Sequence, residues 1–340
     1  MTTTHSKRRL VALPILLTVL LTVLLVVMGI VRCAALAQSP VRLAVLDFAG
    51  EEGGRMSAIL REEAAKETAV VFELLDQRLV RRVAEAAGFD GQPNLSLDEA
   101  RALGQGLGCD FFIVGKGLVT KRLGAGEQSH VEALAGIFLV EARTGALVHF
   151  AFEQVRAADE AGARRALEER LRRRWPACAQ ELLAARKRHA ERVERIVSAP
   201  LPSAIEILID DRAPAGLDGP VFFQRLKPAY TEQADLADVA ATVELDAAFR
   251  DDGQIADVVV TRWAGFGLDE SAIATVRRLK FKPAELNGKV VTIRGLVRYT
   301  FRRPQASAPR PADSGEIERL KRSLRNLKTT GQIPDPHPNY

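Results

Sequence analysis

The chain predicts an α+β protein: an N-terminal α/β sandwich, then a small domain made of a two-stranded hairpin, a helix and a final strand. Three observations predict it. Near-continuous apolar runs such as Val41–Phe48 and Phe111–Gly115 read as strands covered on both faces, interleaved with helical spacing. Beyond Val221 the pattern becomes alternation, with Val243, Leu245, Ala247 and Phe249 facing one way and Thr242, Glu244 and Asp246 the other. Between the two lies a stretch rich in Ala, Glu and Arg with the composition of a helix.

Within 41–157 the elements follow in order. Val41–Phe48 is the first strand, followed by a helix over about Arg55–Lys66 and a strand at Val70–Leu75. Asp76-Gln77 leads into a helix through Leu79, Val80 and Val83 that ends at Gly88. Ser96 caps the next helix, with Glu99 closing a capping box, and that helix runs to Gly108. Phe111–Gly115 is the next buried strand; two more, near His130–Glu141 and Ala146–Val155, are joined by a turn at Arg143-Thr144-Gly145. Residues 158–197 read as one long helix interrupted at Pro176 or as two shorter ones, packing back on the sheet or serving as a spacer. Ser198-Ala199-Pro200-Leu201-Pro202 opens a linker spanning 198–220. This first domain resembles the α/β domain of curli-secretion, CsgG-like, periplasmic proteins. The resemblance is carried by Ala44–Phe48, Phe72–Leu79, Ala102-Leu103-Gly104 and Leu107-Gly108-Cys109-Asp110. No insertion is long enough for the membrane hairpins of curli-type pores, so pore formation is not expected.

In 221–303, Asp251-Asp252-Gly253-Gln254 supplies a tight hairpin between the alternating strand and one through Ile255, Val258, Val259 and Val260. Asp269 is the expected N-cap of a helix, with Leu268 stapled to Ile273, a stripe of Ile273, Val276 and Leu279, and Pro283 as its stop. Asn287-Gly288 turns the chain into a final strand expected to run from Lys289 to Phe301. This segment resembles the C-terminal domain of TonB-family energy transducers. The matching pieces are Pro228-Ala229-Tyr230, Asp252–Ile255, Gly267–Ala272, Phe281–Ala284, Asn287-Gly288-Lys289 and Tyr299-Thr300-Phe301. Thr231 stands where the family usually has a second Pro.

The resemblance implies a partner: the TonB box of an outer-membrane TonB-dependent receptor, or another envelope protein, added as an extra strand to the final strand. The residues expected to bind it are Pro228, Tyr230, Val291, Ile293, Arg294, Gly295, Val297, Arg298 and Tyr299. Arg294, Arg298 and Arg302 either select acidic flanks or simply keep an edge strand from aggregating. The family also implies an inner-membrane proton-driven motor. Here the membrane helix offers neither Ser nor His, only Thr18 and Thr22, and the family's long Pro-rich spacer is replaced by the α/β domain.

The N-terminal segment is an export signal. Lys7-Arg8-Arg9 precede about 22 mostly apolar residues, Leu10 to Val31, long enough to cross a bilayer with the N-terminus inside. Ala35-Leu36-Ala37 before Gln38 has the small-residue pattern of a cleavage site. Residues 1–37 are thus either a signal anchor or a signal peptide cleaved after Ala37, and both place the rest in the periplasm. Arg32 argues against lipidation of Cys33. The stretch 304–340 is a Pro-rich tail with a short basic helix at Glu316–Leu327.

The 340 residues, 47% hydrophobic and 27% charged, suffice for two cores. The formal charge of +5 comes with arginines on predicted helices rather than beside aromatics, so nucleic-acid binding is not expected. Cys109 and Cys178 are candidates for a single disulfide or two core thiols. Gly115-Lys116-Gly117 lacks the upstream Gly and the Ser or Thr of a phosphate loop, and Gly104, Gly106 and Gly108 end a helix rather than open one. Neither GxSxG nor HExxH occurs, and His130, His149 and His189 are scattered. No enzymatic activity, metal or cofactor is expected.

Overall fold

The computed structural model describes residues 40–66, 71–123, 129–198, 207–208 and 215–303. The N-terminal domain runs β1 (Val41–Val45), α1 (Gly53–Lys66), β2 (Phe72–Leu74), α2 (Gln77–Ala86), α3 (Leu97–Leu107), β3 (Phe111–Leu123), β4 (Ser129–Glu141), β5 (Leu147–Ala157) and α4 (Glu160–Ser198). Its sheet has the order β2-β1-β3-β4-β5: β1 is parallel to β2 and β3, and β3 to β5 form an antiparallel meander. The local signals act as read. Asp76 accepts from the N–H groups of Arg78 and Leu79, Ser96 and Glu99 form the capping box, and Gly108 closes α3 at φ 61°.

The Ala, Glu and Arg-rich stretch is one helix, continuous through Pro176. A proline inside a helix forfeits a hydrogen bond and costs roughly 3 kcal/mol. Against that stands a buried stripe of Leu167, Leu171, Trp175, Cys178 and Leu182 at spacings of three and four, packed with α1 on one face of the sheet. Each such side chain contributes about 1.5–3 kcal/mol, so burial prevails. Gly115-Lys116-Gly117 lies inside β3; a Cβ on Gly115 would sit 2.4 Å from the Phe48 ring, and one on Gly117 2.3 Å from Met56 Sδ. These glycines let α1 and its preceding loop close on the sheet. Cys109 and Cys178 are free thiols that belong to cores on opposite faces of that sheet. Burial pushes both thiols up to about 12.

The second domain comprises β6 (Ile207–Leu208), β7 (Leu217–Asp218), β8 (Val221–Phe222), α5 (Glu232–Leu236), β9 (Ala241–Phe249), β10 (Ile255–Arg262), α6 (Leu268–Val276), β11 (Phe281–Lys282), β12 (Ala284–Leu286), β13 (Lys289–Val291) and β14 (Ile293–Phe301). Three expectations are corrected here. The stretch read as a linker supplies β6 and β7, which pair with β14 and β12. The helix α6 is opened by Gly267 at φ 74°, not by Asp269, and it ends at Val276, well before Pro283. The expected continuous strand from Lys289 divides at Thr292 into β13, hairpin partner of β12, and β14. Thr292 Oγ1 instead bonds the Asp251 backbone and carboxylate.

The two domains share one core. The face of β4 and β5 opposite α4 carries Phe138, Phe150 and Phe152, and the second domain covers it with Trp263 and Phe266. Phe138 lies with ring centroids 5.3 Å from Trp263 and 5.8 Å from Phe266, and Phe150 lies 4.9 Å from Phe266. Gly136 of β4 makes room, since a Cβ there would meet Phe266 at 2.7 Å. Gly265, at φ 69°, does the same from the other side, where a Cβ would lie 2.5 Å from Phe138. Trp263 Nε1 donates to the Gly145 carbonyl at 3.2 Å, so the indole is buried without an orphan donor.

Polar contacts fix the docking. Asn94 donates to the carbonyls of Thr242 and Trp263 and accepts from the Thr242 N–H, while Trp263 N–H reaches the Leu95 carbonyl. Lys116 and Arg122 of β3 donate to the carbonyls of Leu236, Ala237 and Asp238 just beyond α5. Asp269 holds the inserted loop by accepting from the Ala264 and Gly265 N–H groups, each at 2.8 Å. Burial pushes its carboxyl up to about 6, against the pull of those two N–H groups.

Candidate partner-binding site

The four-stranded sheet of the second domain has the order β10-β9-β14-β6. Its alternation is that of the sequence: Val243, Leu245, Ala247 and Phe249 of β9 are buried, and Thr242, Glu244 and Asp246 face outward. All nine residues of β14 are in register with β9, from Ile293 opposite Phe249 to Phe301 opposite Ala241. On its other side, among the described residues, β14 meets only β6, in parallel, at Ile293 and Arg294. Among the described residues, no strand pairs with that outer edge from Gly295 to Phe301. The N–H and C=O groups that alternate toward that edge have no strand partner among the described residues.

The side chains give this edge two faces. Ile293 and Phe301 are buried, with Val297 and Tyr299 packed against the core between them. On the opposite face Leu296 is 56% exposed, an apolar side chain with little cover. Arg298 Nε lies 2.7 Å from Glu244 and Arg294 Nε 2.6 Å from Asp246, so both guanidiniums already bond carboxylates of β9. Glu244 also faces Arg262 at 3.8 Å, and Arg262 pairs with Glu99 of α3 at 2.9 Å, so the charged face of the sheet continues into the first domain.

The residues expected to bind a partner are only partly brought together. Ile293, Arg294, Gly295, Val297, Arg298 and Tyr299 share β14. Val291 sits in β13, paired with Ala284, beyond the break at Thr292. Tyr230 is occupied in another way: its hydroxyl donates toward the carbonyls of Val239 at 2.7 Å and Ala234 at 3.0 Å, holding α5. Thr231 caps α5 through Ala234 N–H and also donates to the Phe266 carbonyl. Pro228 precedes this anchor in irregular backbone. The Pro228-Ala229-Tyr230 segment therefore leads into α5 and forms no part of the β14 edge.

Sequence reasoning missed Asn94 and the Phe266 loop as the elements that close the far side of this domain. The Trp263-Ala264-Gly265-Phe266-Gly267 string held the available signal, two aromatics among small residues with no strand or helix period. The expected membrane-helix residues Leu10, Thr18, Thr22 and Val31, the cleavage-site residues Ala35, Ala37 and Gln38, and the tail from residue 304 lie outside the described residues. Among the described residues, no helix is long and apolar enough to cross a membrane.

Residues 227–302 match the family described as Gram-negative bacterial TonB protein C-terminal. None of the curated proteins compared with the chain matches it. Among solved structures, the chain is similar to the hypothetical protein CT253 from Chlamydia trachomatis, at 12% identity and TM-score 0.32, covering 43% of this chain and 99% of that one. It is also similar to the Pseudomonas aeruginosa TonB C-terminal domain, at 16% identity and TM-score 0.23, covering 27% and 91%. A third is lipoprotein GNA1162 from Neisseria meningitidis, at 14% identity and TM-score 0.28, covering 39% and 97%. At such scores the structural likenesses carry no functional weight. The family match does: residues 227–302 form a TonB-like domain, which points to the cell envelope and to protein–protein interaction.

Proposed function

We propose that this protein binds an extended segment of an outer-membrane or periplasmic partner by strand addition to the outer edge of β14, from Gly295 to Phe301. One observation carries the reading: β14 is fully paired with β9 and, among the described residues, carries only a two-residue partner on its other side. Main-chain hydrogen bonds would supply affinity, and the exposed Leu296 and the half-buried Val297 and Tyr299, on opposite faces, would sort side chains of the incoming strand. The partner this predicts is a TonB-dependent receptor or another envelope protein. Export by residues 1–37, either as a retained anchor or with cleavage after Ala37, would bring the site to the periplasm.

Adjacent residues of a strand turn their N–H groups to opposite edges. Leu296→Pro and Val297→Pro therefore differ: one removes a donor toward β9, the other a donor toward the open edge. The variant that keeps the native circular dichroism spectrum is the informative one, and it is expected to lose partner binding. Retained binding in that variant would refute strand addition.

Energy-coupled transport is the stronger claim and rests on the family resemblance. The packing of Trp263 and Phe266 into the first domain favours the alternative, a non-energised envelope adaptor, because a pull on the second domain would load that interface rather than a spacer. N-terminal sequencing of the mature protein separates them: a chain beginning at Gln38 carries no tether to an inner-membrane proton-driven motor.

A further inference from the structure

At the end of the second domain away from the first lies a groove of about 550 Å³, between the residues after β8 and the turn that joins α6 to β11. Its apolar lining is Phe223, Leu226, Leu279 and Phe281, and its cations are Arg277, Arg278 and Lys280. Phe223 N–H donates to the Lys280 carbonyl at 3.0 Å, which holds the two walls together. Yet Phe223 is 70% exposed, a large apolar group that nothing among the described residues covers.

The groove combines its apolar lining with a cluster of three cations and, among the described residues, no acid. Elsewhere in the domain Arg250, Arg262, Lys282, Arg294, Arg298 and Arg303 each face a carboxylate within 4 Å, whereas among the described residues Arg225, Lys227, Lys289 and Arg302 do not. Among the described residues, Arg277, Arg278 and Lys280 have no such partner, and no carboxylate lines the groove. The nearby hairpin acids are committed, Asp251 to Thr292 and Asp252 to Arg250 and the Gln254 N–H. Three like charges within four residues repel one another, and a bound carboxylate would relieve that. Arg277 and Arg278 also follow the C-terminus of α6, whose dipole accounts for a cation there but not for the absence of acids beside it.

We propose that this groove is a docking site for an acidic peptide segment that carries an apolar or aromatic anchor. The anchor would stack on Phe223 over Leu279, and flanking carboxylates would meet Arg277, Arg278 and Lys280. A concave pocket of this volume suits one or two peptide side chains better than it suits the flat face of a lipid bilayer. No residue of β14 lines the groove, and the proposal stands independently of strand addition.

The test uses the full chain in a neutral detergent and a fluorescein-labelled hexapeptide, Asp-Glu-Trp-Leu-Glu-Asp, with a lysine-for-acid counterpart as control, read by fluorescence anisotropy. The wild type is expected to prefer the acidic peptide, with affinity falling as salt rises. The double variant Arg278→Glu/Lys280→Glu is expected to weaken that binding at least tenfold. Phe223→Ser, which keeps every charge, is expected to weaken it as well and serves should the double variant fail to fold. Equal affinity for the two peptides, or unchanged affinity in these variants, would overturn the proposal. So would binding lost in the native-like proline variant of Leu296 or Val297, which would place the peptide on β14. Flotation with phosphatidylglycerol but not phosphatidylcholine vesicles, lost in the double variant and without peptide binding, would assign the cations to a lipid surface.

Discussion

The two edges of the four-stranded sheet in the second domain are treated in opposite ways. The β10 edge is blunted twice. Its ladder with β9 slips between Ala256 and Val259 and again between Val260 and Arg262, with Asp257 at φ 48°, so the strand is bulged and twisted away from flat pairing. The residue that follows it is then tied to the first domain, where Asn94 takes the Trp263 carbonyl and the Leu95 carbonyl takes the Trp263 N–H. The β14 edge has nine residues in unbroken register with β9 and no bulge, and after Arg294 nothing described lies along it. Proteins disarm edges that are not used. This contrast between a disarmed edge and a regular one is what supports the proposal that β14 is the surface for pairing.

The largest effects are expected where the closed side is broken. Phe266→Ala removes the ring that fills the space above Gly136 and contacts Phe138, Phe150 and Phe152. It is expected to cost about 3–5 kcal/mol in a denaturant titration and to split one unfolding transition into two as the domains uncouple. A single transition with unchanged midpoint would mean that the domains are not held by this contact.

Next in size is the pH dependence of the same loop. Burial raises the Asp269 carboxyl from 3.8 to about 6. The folded state therefore binds this proton more tightly than the unfolded chain. The resulting stabilisation is fully present below pH 3.8 and is lost as pH rises through 6. Wild type compared with Asp269→Asn, which does not titrate, is expected to show a stability difference that shifts by about 2 kcal/mol in favour of wild type between pH 7 and pH 4. A difference flat across that window would remove the burial argument.

Asn94→Ala leaves the Thr242 N–H and two carbonyls without their partner, and is expected to cost about 1–3 kcal/mol while β14 is untouched. Measured beside the Phe266 variant, it apportions the closed edge between polar and apolar contacts. The smallest effect belongs to the open side. Arg298, with its side chain 62% exposed, pairs with Glu244, and Arg298→Ala is expected to change stability by less than about 1 kcal/mol. A larger loss would show that β14 depends on this pair and is less independent than its register implies.

Much of this was legible in the residues, and what was not has a common cause. Alternation placed β9 with the correct face inward, Asp252-Gly253 placed the hairpin, and Ser96 with Glu99 placed the start of α3, because each depends on neighbours in sequence. Asp269 looked like an N-cap because carboxylates favour that position; a glycine at positive φ took the position instead, and the carboxylate turned back to the inserted loop. The break at Thr292 was hidden because β13 and β14 both continue the alternation. The docking of the domains was not legible at all. It requires Gly136 to stand under Phe266, and residues so distant in sequence leave no periodic trace. For the candidate site, the strand was readable but its neglected edge was not, since β6 comes from a stretch with the composition of a linker.

Amide hydrogen exchange along β14 tests the open edge most directly. With one side bonded to β9 and the other free, the amides from Gly295 to Phe301 are expected to alternate between slow and fast exchange, and the fast set to become protected when a partner segment is added. Uniform slow exchange across these residues in the protein alone would mean that the edge is already covered, and would contradict strand addition at this site.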